Sequence, residues 1–403
     1  MNSKEIKALA EKVFMKTYGR YDLALTRGDG VHLYDPEGNE YLDFVSGIAV
    51  ASLGHANEAV AEAVAQQART LVHVSNLYYT EPQVKLAQKL VENCFADRVF
   101  FCNSGAEANE AAIKLARKYS FDKYGPNRFK ILTIDNSFHG RTMVTLSATA
   151  QPDKHVGFAP LNEGFEYLPL NDLDAVKNAF DAGGVCAIMI EPIQGEGGIN
   201  EFTLDYMTSL RSLCTENDIL LIFDEIQVGM GRLGALFAHQ LFGVEPDIMT
   251  LAKALANGLP IGAALAREEV AEAFSPGTHA TTFGGTPLVT AAALTVLETM
   301  LAPGFMDHVQ QVGDYFKSRL LELADKYDYI EEVRGRGLLL GIKVSFPGAD
   351  VVPQMMAKGF LINCIQGSVL RFLPPLTITE AEVDLLIPVL EETLISAAAS
   401  HGG

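Results

Sequence analysis

Between residues 98 and 266 one pattern recurs. Short apolar runs end in polar loops, and amphipathic helical segments lie between them. The runs are Arg98–Cys102, Phe129–Ile134, Cys186–Ile190, Ile219–Phe223, Ile248–Leu251 and Gly262–Ala266. Helical periodicity covers Ala106–Tyr119, Leu173–Phe180 and Leu204–Glu216. A strand that is apolar at every residue, not at every second one, is buried on both faces. Alternation of such strands with helices predicts βαβ units and a mostly parallel sheet flanked by helices, an α/β domain. In such sheets ligands bind at the carboxyl ends of the strands, so the loops after each run are where chemistry is expected.

The pattern changes after about residue 290. Helices are expected at Val289–Met300 and Met306–Tyr327, strands at Ile330–Arg334 and Leu338–Val344, and a last helix over Glu380–Ala397. Near the N-terminus, Val31–Tyr34 and Glu40–Phe44 flank Asp35-Pro-Glu-Gly-Asn, whose turn chemistry predicts a β-hairpin. The chain thus divides into a large α/β domain over 51–290 and a smaller α+β domain built from 1–50 and 291–403. The small, polar tail Ser396–Gly403 is expected to fray.

The length, 403 residues, fits two domains. A net charge of −19 argues against nucleic acid and anionic membranes as partners, since both need a basic face. The N-terminus is charged throughout and does not read as a secretory signal. The longest uncharged stretch, Ala273–Leu297, is broken by Pro and Gly and cannot span a membrane. Five scattered cysteines with no CxxC pair read as reduced thiols. No metal site is expected, and the protein is expected in the cytoplasm.

Five strand-end loops carry polar groups. Asp224-Glu225 follows Ile219–Phe223; two acids there are either helix caps or functional carboxylates. Lys253 lies in the apolar run after Ile248–Leu251. A lysine in such a run either snorkels to water or, desolvated, forms a Schiff base with an aldehyde. An aspartate at a neighbouring strand end is what a pyridinium nitrogen needs. Asn103-Ser-Gly-Ala-Glu-Ala108 opens a helix, giving either a capped turn or a phosphate cradle of unpaired N–H groups. In Asn136–Thr142, Phe138 can stack on a flat ring and Arg141 can clamp a carboxylate. Glu191-Pro-Ile-Gln-Gly-Glu-Gly-Gly198 has the glycine content of a backbone lying close to a ligand, or of a turn. Two motifs point elsewhere. Gly229-Met-Gly-Arg-Leu-Gly234 matches the dinucleotide fingerprint but does not follow a strand directly, and Ser120–Lys123 matches SxxK without its companion motifs.

Together these residues resemble the class III pyridoxal-phosphate aminotransferases of fold type I. The resemblance runs from about Thr17 to Pro375. It is most specific in Phe223–Arg232, Leu251-Ala-Lys-Ala-Leu255 and Thr281-Thr-Phe-Gly-Gly285. Ser46–Val50, Asn76–Tyr79 and Ser137–Thr142 are similar to the branch acting on acetylornithine.

The resemblance implies pyridoxal 5'-phosphate as cofactor and a set of roles. Lys253 would form the Schiff base and shuttle the proton. Asp224 would pair with the pyridinium nitrogen, and Gln227 would lie near the phenolic oxygen. Phe138 would stack on the ring, and Gly105 and Ala106 would hold the phosphate. Thr282 would reach that phosphate from the other subunit of a homodimer. Arg141 and Thr281, with Tyr21, would bind substrate. Glu196 and Arg371 would form a gate that frees the arginine for the oxo-acid's α-carboxylate. The implied reaction moves the terminal amino group of N2-acetyl-L-ornithine to 2-oxoglutarate, giving N-acetyl-L-glutamate 5-semialdehyde and L-glutamate, a step of arginine biosynthesis. Succinylornithine, ornithine and 4-aminobutyrate are alternative donors, and Ile48 argues against free ornithine, whose α-ammonium wants a polar neighbour. A decarboxylase or mutase of the same class is a further alternative, and a nicotinamide-dependent oxidoreductase is the remote one. The sequence departs from the family pattern at Asn57-Glu58, Val228, Leu233 and Thr286.

Overall fold

A computed structural model describes residues 1–401. Two compact units emerge, Ala59–His308 and Met1–Glu58 with the chain from Val309 onward.

The larger unit is built on a seven-stranded sheet. Its order is Arg98–Cys102, Gly262–Ala266, Ile248–Leu251, Leu220–Asp224, Val185–Ile190, Lys130–Ile134, Phe165–Leu168. Gly262–Ala266 runs antiparallel to both neighbours, and the other pairings are parallel. Every residue of Val185–Ile190 and Leu220–Asp224 is buried, as their apolar composition up to Asp224 requires. The helix Gly105–Tyr124 lays Ala112, Ile113, Leu115 and Ala116 on Ile131, Met189, Leu220, Ile222 and Ile248. Its alanines let it approach the sheet closely.

The strand Phe165–Leu168 was not expected from the sequence. Only Leu168 of its four residues is buried, so it lacks the apolar signature of its neighbours. The helices Glu58–Thr70 and Glu81–Val91 were also missed; each buries only one or two residues.

In the other unit the predicted hairpin forms between His32–Tyr34 and Glu40–Asp43. Asp35 organises its turn: Oδ1 accepts from the amides of Glu37 and Asn39, and Oδ2 accepts from Asn39 Nδ2. A second sheet orders Ile330–Arg336, Leu339–Val344, Val369–Phe372 and Asn363–Ile365. The last helix runs Glu380–Ser400, which corrects the expected fraying as far as Ser400: Ala397 and Ala398 are buried and hold the final turn, and Gly402 and Gly403 lie outside the described residues. The N-terminal helix Ser3–Val13 buries nothing and leans on the capping box of Asn2 with Glu5, an interaction worth about 1 kcal/mol. No single helix among the described residues is long and apolar enough to cross a membrane.

Candidate active site

Asp224 ends its strand paired in register with Thr250 on the neighbouring one, while Phe223 pairs with Ile190 on the other side. Asp224, Thr250 and Glu191 therefore gather at one carboxyl edge. The two consecutive acids have different fates. Glu225 turns away and caps Ala238–Phe242, with Oε2 accepting from the Ala238 amide (2.6 Å) and Oε1 from the His239 amide (2.8 Å). Asp224 is 4 % exposed and receives a shell of donors. Asn109 Nδ2 donates to its Oδ2 at 2.7 Å, His139 Nδ1 lies 2.8 Å from the same oxygen, and the Ile226 amide donates to Oδ1 at 3.1 Å. An ionised carboxylate only accepts, so His139 Nδ1 carries the proton of that bond. His139 Nε2 is buried without a partner.

Lys253 follows Ile248–Leu251 on a single 3₁₀ turn, Lys253–Ala256, flanked by buried Leu251, Ala252 and Ala254. Its φ is +44°, a left-handed backbone that a lysine adopts only where the surroundings impose it.

The helix Gly105–Tyr124 starts from Ser104, whose Oγ accepts from the Glu107 amide. Ala108 N donates to Ser104 O. The amides of Gly105 and Ala106 find no acceptor among the described residues. A Cβ on Gly105 would lie 2.8 Å from Ile226 Cδ1, so the backbone here is pressed against the loop that follows Asp224.

Glu191 fastens two other loops. Its Oε1 accepts from the Phe138 amide (2.8 Å) and its Oε2 from the Gly195 amide (3.3 Å). Burial pushes its carboxyl up to about 7, aided by the Asp224 charge and opposed by His139. Arg141 is exposed, with its guanidinium 5.4 Å from the centre of the Phe138 ring. Gln227 Nε2 donates to Glu196 Oε1 at 3.2 Å. Gly195 makes that possible, because a Cβ there would fall 1.9 Å from Gln227 Oε1. Thr281 Oγ1 accepts from Asn103 Nδ2 and from the Gly284 amide, both at 3.2 Å, which ties its loop to the start of the helix Gly105–Tyr124. Thr282 is exposed beside it.

Two expected residues lie in the other unit. Arg371 is fully buried on Val369–Phe372, and its Nε donates to Asn363 Oδ1 at 3.2 Å. Tyr21 is 53 % exposed. Its phenol is raised by partial burial and by Cys364 and lowered by Arg371, so the two residues are electrostatic neighbours.

Asn109, Thr250 and the role of His139 were not read from the sequence. Their signal was available in part: Asn109 is one helical turn beyond Gly105, and His139 is the residue after Phe138. Gly229–Gly234 is a series of turns that opens no helix, so it lacks the strand–glycine–helix geometry of a dinucleotide site.

These residues fit pyridoxal 5'-phosphate. Two unpaired amides at a helix start suit a phosphate, a buried, donor-braced carboxylate suits a pyridinium, and a lysine stands on the next strand end.

Comparison with known proteins agrees. Residues 14–394 match the model of the family Aminotransferase class-III. The acetylornithine aminotransferase of Caldanaerobacter subterraneus subsp. tengcongensis is 52% identical over 385 residues, covering 95% of this chain and 98% of the relative. A solved ornithine aminotransferase from Toxoplasma gondii, described with partial occupancy of PLP at its active site, superposes with a TM-score of 0.96 at 32% identity, over 100% of this chain and 96% of that one. The solved acetylornithine aminotransferase of Elizabethkingia anophelis gives a TM-score of 0.88 at 32% identity, over 98% and 100% of the two chains. By the extent of these matches and by the cofactor its residues suit, the chain belongs to the class III aminotransferases, pyridoxal-phosphate enzymes that act on amino and oxo-acid substrates.

Proposed function

We propose that the protein transfers the terminal amino group of N2-acetyl-L-ornithine to 2-oxoglutarate, releasing N-acetyl-L-glutamate 5-semialdehyde and L-glutamate, as a step of arginine biosynthesis. The observation that carries this reading is Lys253 and Asp224 on adjacent strand ends, in a chain 52% identical to an acetylornithine aminotransferase. The ornithine enzyme that superposes so well is only 32% identical. Backbone likeness reports the fold, so the higher identity weighs more in choosing the donor.

Bound pyridoxal 5'-phosphate supplies an electron sink for the carbon being deprotonated. The protein's part is to hold, orient and move protons. Gly105 and Ala106 present two amides to the phosphate. Asp224 would keep negative charge at the ring nitrogen, Phe138 would cover a ring face, and Gln227 would serve the phenolic oxygen. Lys253 Nζ would hold the cofactor at rest and would carry the proton from the reacting carbon. Arg141 and Thr281 take the donor, and Tyr21 is a further substrate contact. Arg371 takes the oxo-acid's α-carboxylate. Its fixed fork of donors suits that group.

Thr282 is proposed to serve the phosphate of a second copy, in a homodimer. Leu77, Tyr78, Tyr79 and Phe283 are 81 %, 68 %, 97 % and 63 % exposed in the single chain, a set of large apolar side chains that suits cover by that copy. Light scattering should report a dimer; a fully active monomer would contradict the shared site.

The donor is tested by comparing kcat/KM for N-acetylornithine, succinylornithine, ornithine and 4-aminobutyrate, each with 2-oxoglutarate. N-acetylornithine should exceed ornithine by at least about a hundredfold, since ornithine's extra charge must be desolvated, and should also exceed 4-aminobutyrate. A preference for any of the other three overturns the assignment.

A further inference from the structure

Asn109 and Thr250 are fully buried polar side chains that the proposed chemistry does not use. Asn109 lies on the sheet-facing side of the helix Gly105–Tyr124, among Ala108, Ala111 and Ala112, all buried. A small apolar residue would pack there without the cost of burying an amide, so the amide needs a reason.

Its bonds supply one. The His139 carbonyl and the Asp224 carboxylate on one side only accept, which fixes the nitrogen end of the Asn109 amide, and Thr250 Oγ1 donates to the oxygen end at 2.7 Å. Nδ2 then spends both hydrogens, one on Asp224 Oδ2 and one on the carbonyl of His139, each at 2.7 Å. No atom of the side-chain amide is left to chance. The same helix offers the Gly105 and Ala106 amides one turn earlier, a rise of about 6 Å.

We infer that Asn109, oriented by Thr250, is a positioning residue. It locks the carboxylate of Asp224 to the helix whose first turn cradles the phosphate, so that one rigid element sets both ends of the cofactor site. This rests on the reading of Asp224 as the partner of the ring nitrogen. Its chemistry is simple: an amide donor holds the carboxylate in place without competing for the proton of the pyridinium, as a second acid would. His139 holds Oδ2 from its own loop and the Ile226 amide holds Oδ1 from the next; Asn109 adds the bond that ties Oδ2 to the helix Gly105–Tyr124.

The test is a double-mutant cycle on the full-length protein, Asn109→Ala against Asp224→Asn. Two quantities are read: the Kd for pyridoxal 5'-phosphate by equilibrium dialysis, and the pH midpoint of the visible band of the loaded enzyme. A lost hydrogen bond to a charged group corresponds to about a ten- to hundredfold rise in Kd. That rise is expected for N109A in the wild-type background, with a shifted midpoint. In the D224N background the change should be less than about threefold, because the group Asn109 acts through has lost its charge. An equal factor in both backgrounds, or no change in the wild-type one, overturns the inference. If D224N itself binds the cofactor as tightly as wild type, the reading of Asp224 fails and the inference fails with it. Should N109A not fold, Thr250→Val replaces it. T250V should raise Kd several-fold and Thr250→Ser should restore it; a T250V enzyme equal to wild type overturns the orienting role.

Discussion

Glu225 should make the folded protein less stable as pH rises, and Glu225→Gln should remove that dependence. The side chain is 1 % exposed, and burial pushes its carboxyl from the ordinary 4.5 up to about 7, against the pull of the Ala238 and His239 amides. Below about pH 4.5 both folded and unfolded chains hold the proton and Glu225 contributes nothing. Between 4.5 and 7 the folded chain binds a proton that the unfolded chain has lost, so stability falls with rising pH, by up to about 1.4 kcal/mol per pH unit. Above 7 the loss is complete, at about 3 kcal/mol. The glutamine carries no such proton. It also loses one acceptor for the two capping amides, a cost of about 1 kcal/mol that does not vary with pH. The offset is therefore uninformative and the slope is the signal. Urea unfolding of both cofactor-loaded proteins at fixed salt, from pH 5.5 to 8, should show the variant gaining about 2 kcal/mol on the wild type. A difference constant to within about 0.5 kcal/mol would refute the buried, high-pKa carboxylate.

Lys253→Ala should abolish turnover, measured as semialdehyde release; undiminished turnover would remove Lys253 from the mechanism. Gly195→Ala should cost about 1–3 kcal/mol of stability by overpacking against Gln227. Adding Gln227→Ala should recover most of it in the same urea assay, and failure to recover would mean that the backbone, not the clash, is at fault. Arg371→Ala should raise KM for 2-oxoglutarate by about ten- to hundredfold while changing KM for the amino donor much less, since a charge-assisted pair is lost only in the oxo-acid half.

The large sheet was legible because its central strands are apolar throughout or nearly so. Val185–Ile190 and Leu220–Asp224 announce burial on both faces, and periodicity needs no partner to show it. Phe165–Leu168 was not legible, because an edge strand with one buried residue resembles a loop. The antiparallel sense of Gly262–Ala266 is likewise set by which neighbours it meets. At the site, the sequence exposed Asp224 and Lys253, since each breaks an apolar run. Read locally, Asp224-Glu225 allowed capping or chemistry, and the structure assigns capping to Glu225 while turning Asp224 inward. Asn109 stayed hidden because a polar residue on an amphipathic helix reads as solvent-facing until the fold shows otherwise, and Thr250 because a hydroxyl inside an apolar run does not reveal its partner. Their function depends on a contact across 141 positions of chain. Burial by tertiary packing is what gave those two residues their meaning.

The most direct test of the account is the visible spectrum of the purified, cofactor-loaded protein before and after N-acetylornithine alone, without any oxo acid. The account predicts a yellow protein that bleaches on adding the donor and regains its colour when 2-oxoglutarate follows, because each half of the reaction stands alone. A yellow band that N-acetylornithine leaves untouched while another ω-amine bleaches it would contradict the donor assignment. A protein that takes up no colour from pyridoxal 5'-phosphate would contradict the roles given to Lys253 and Asp224.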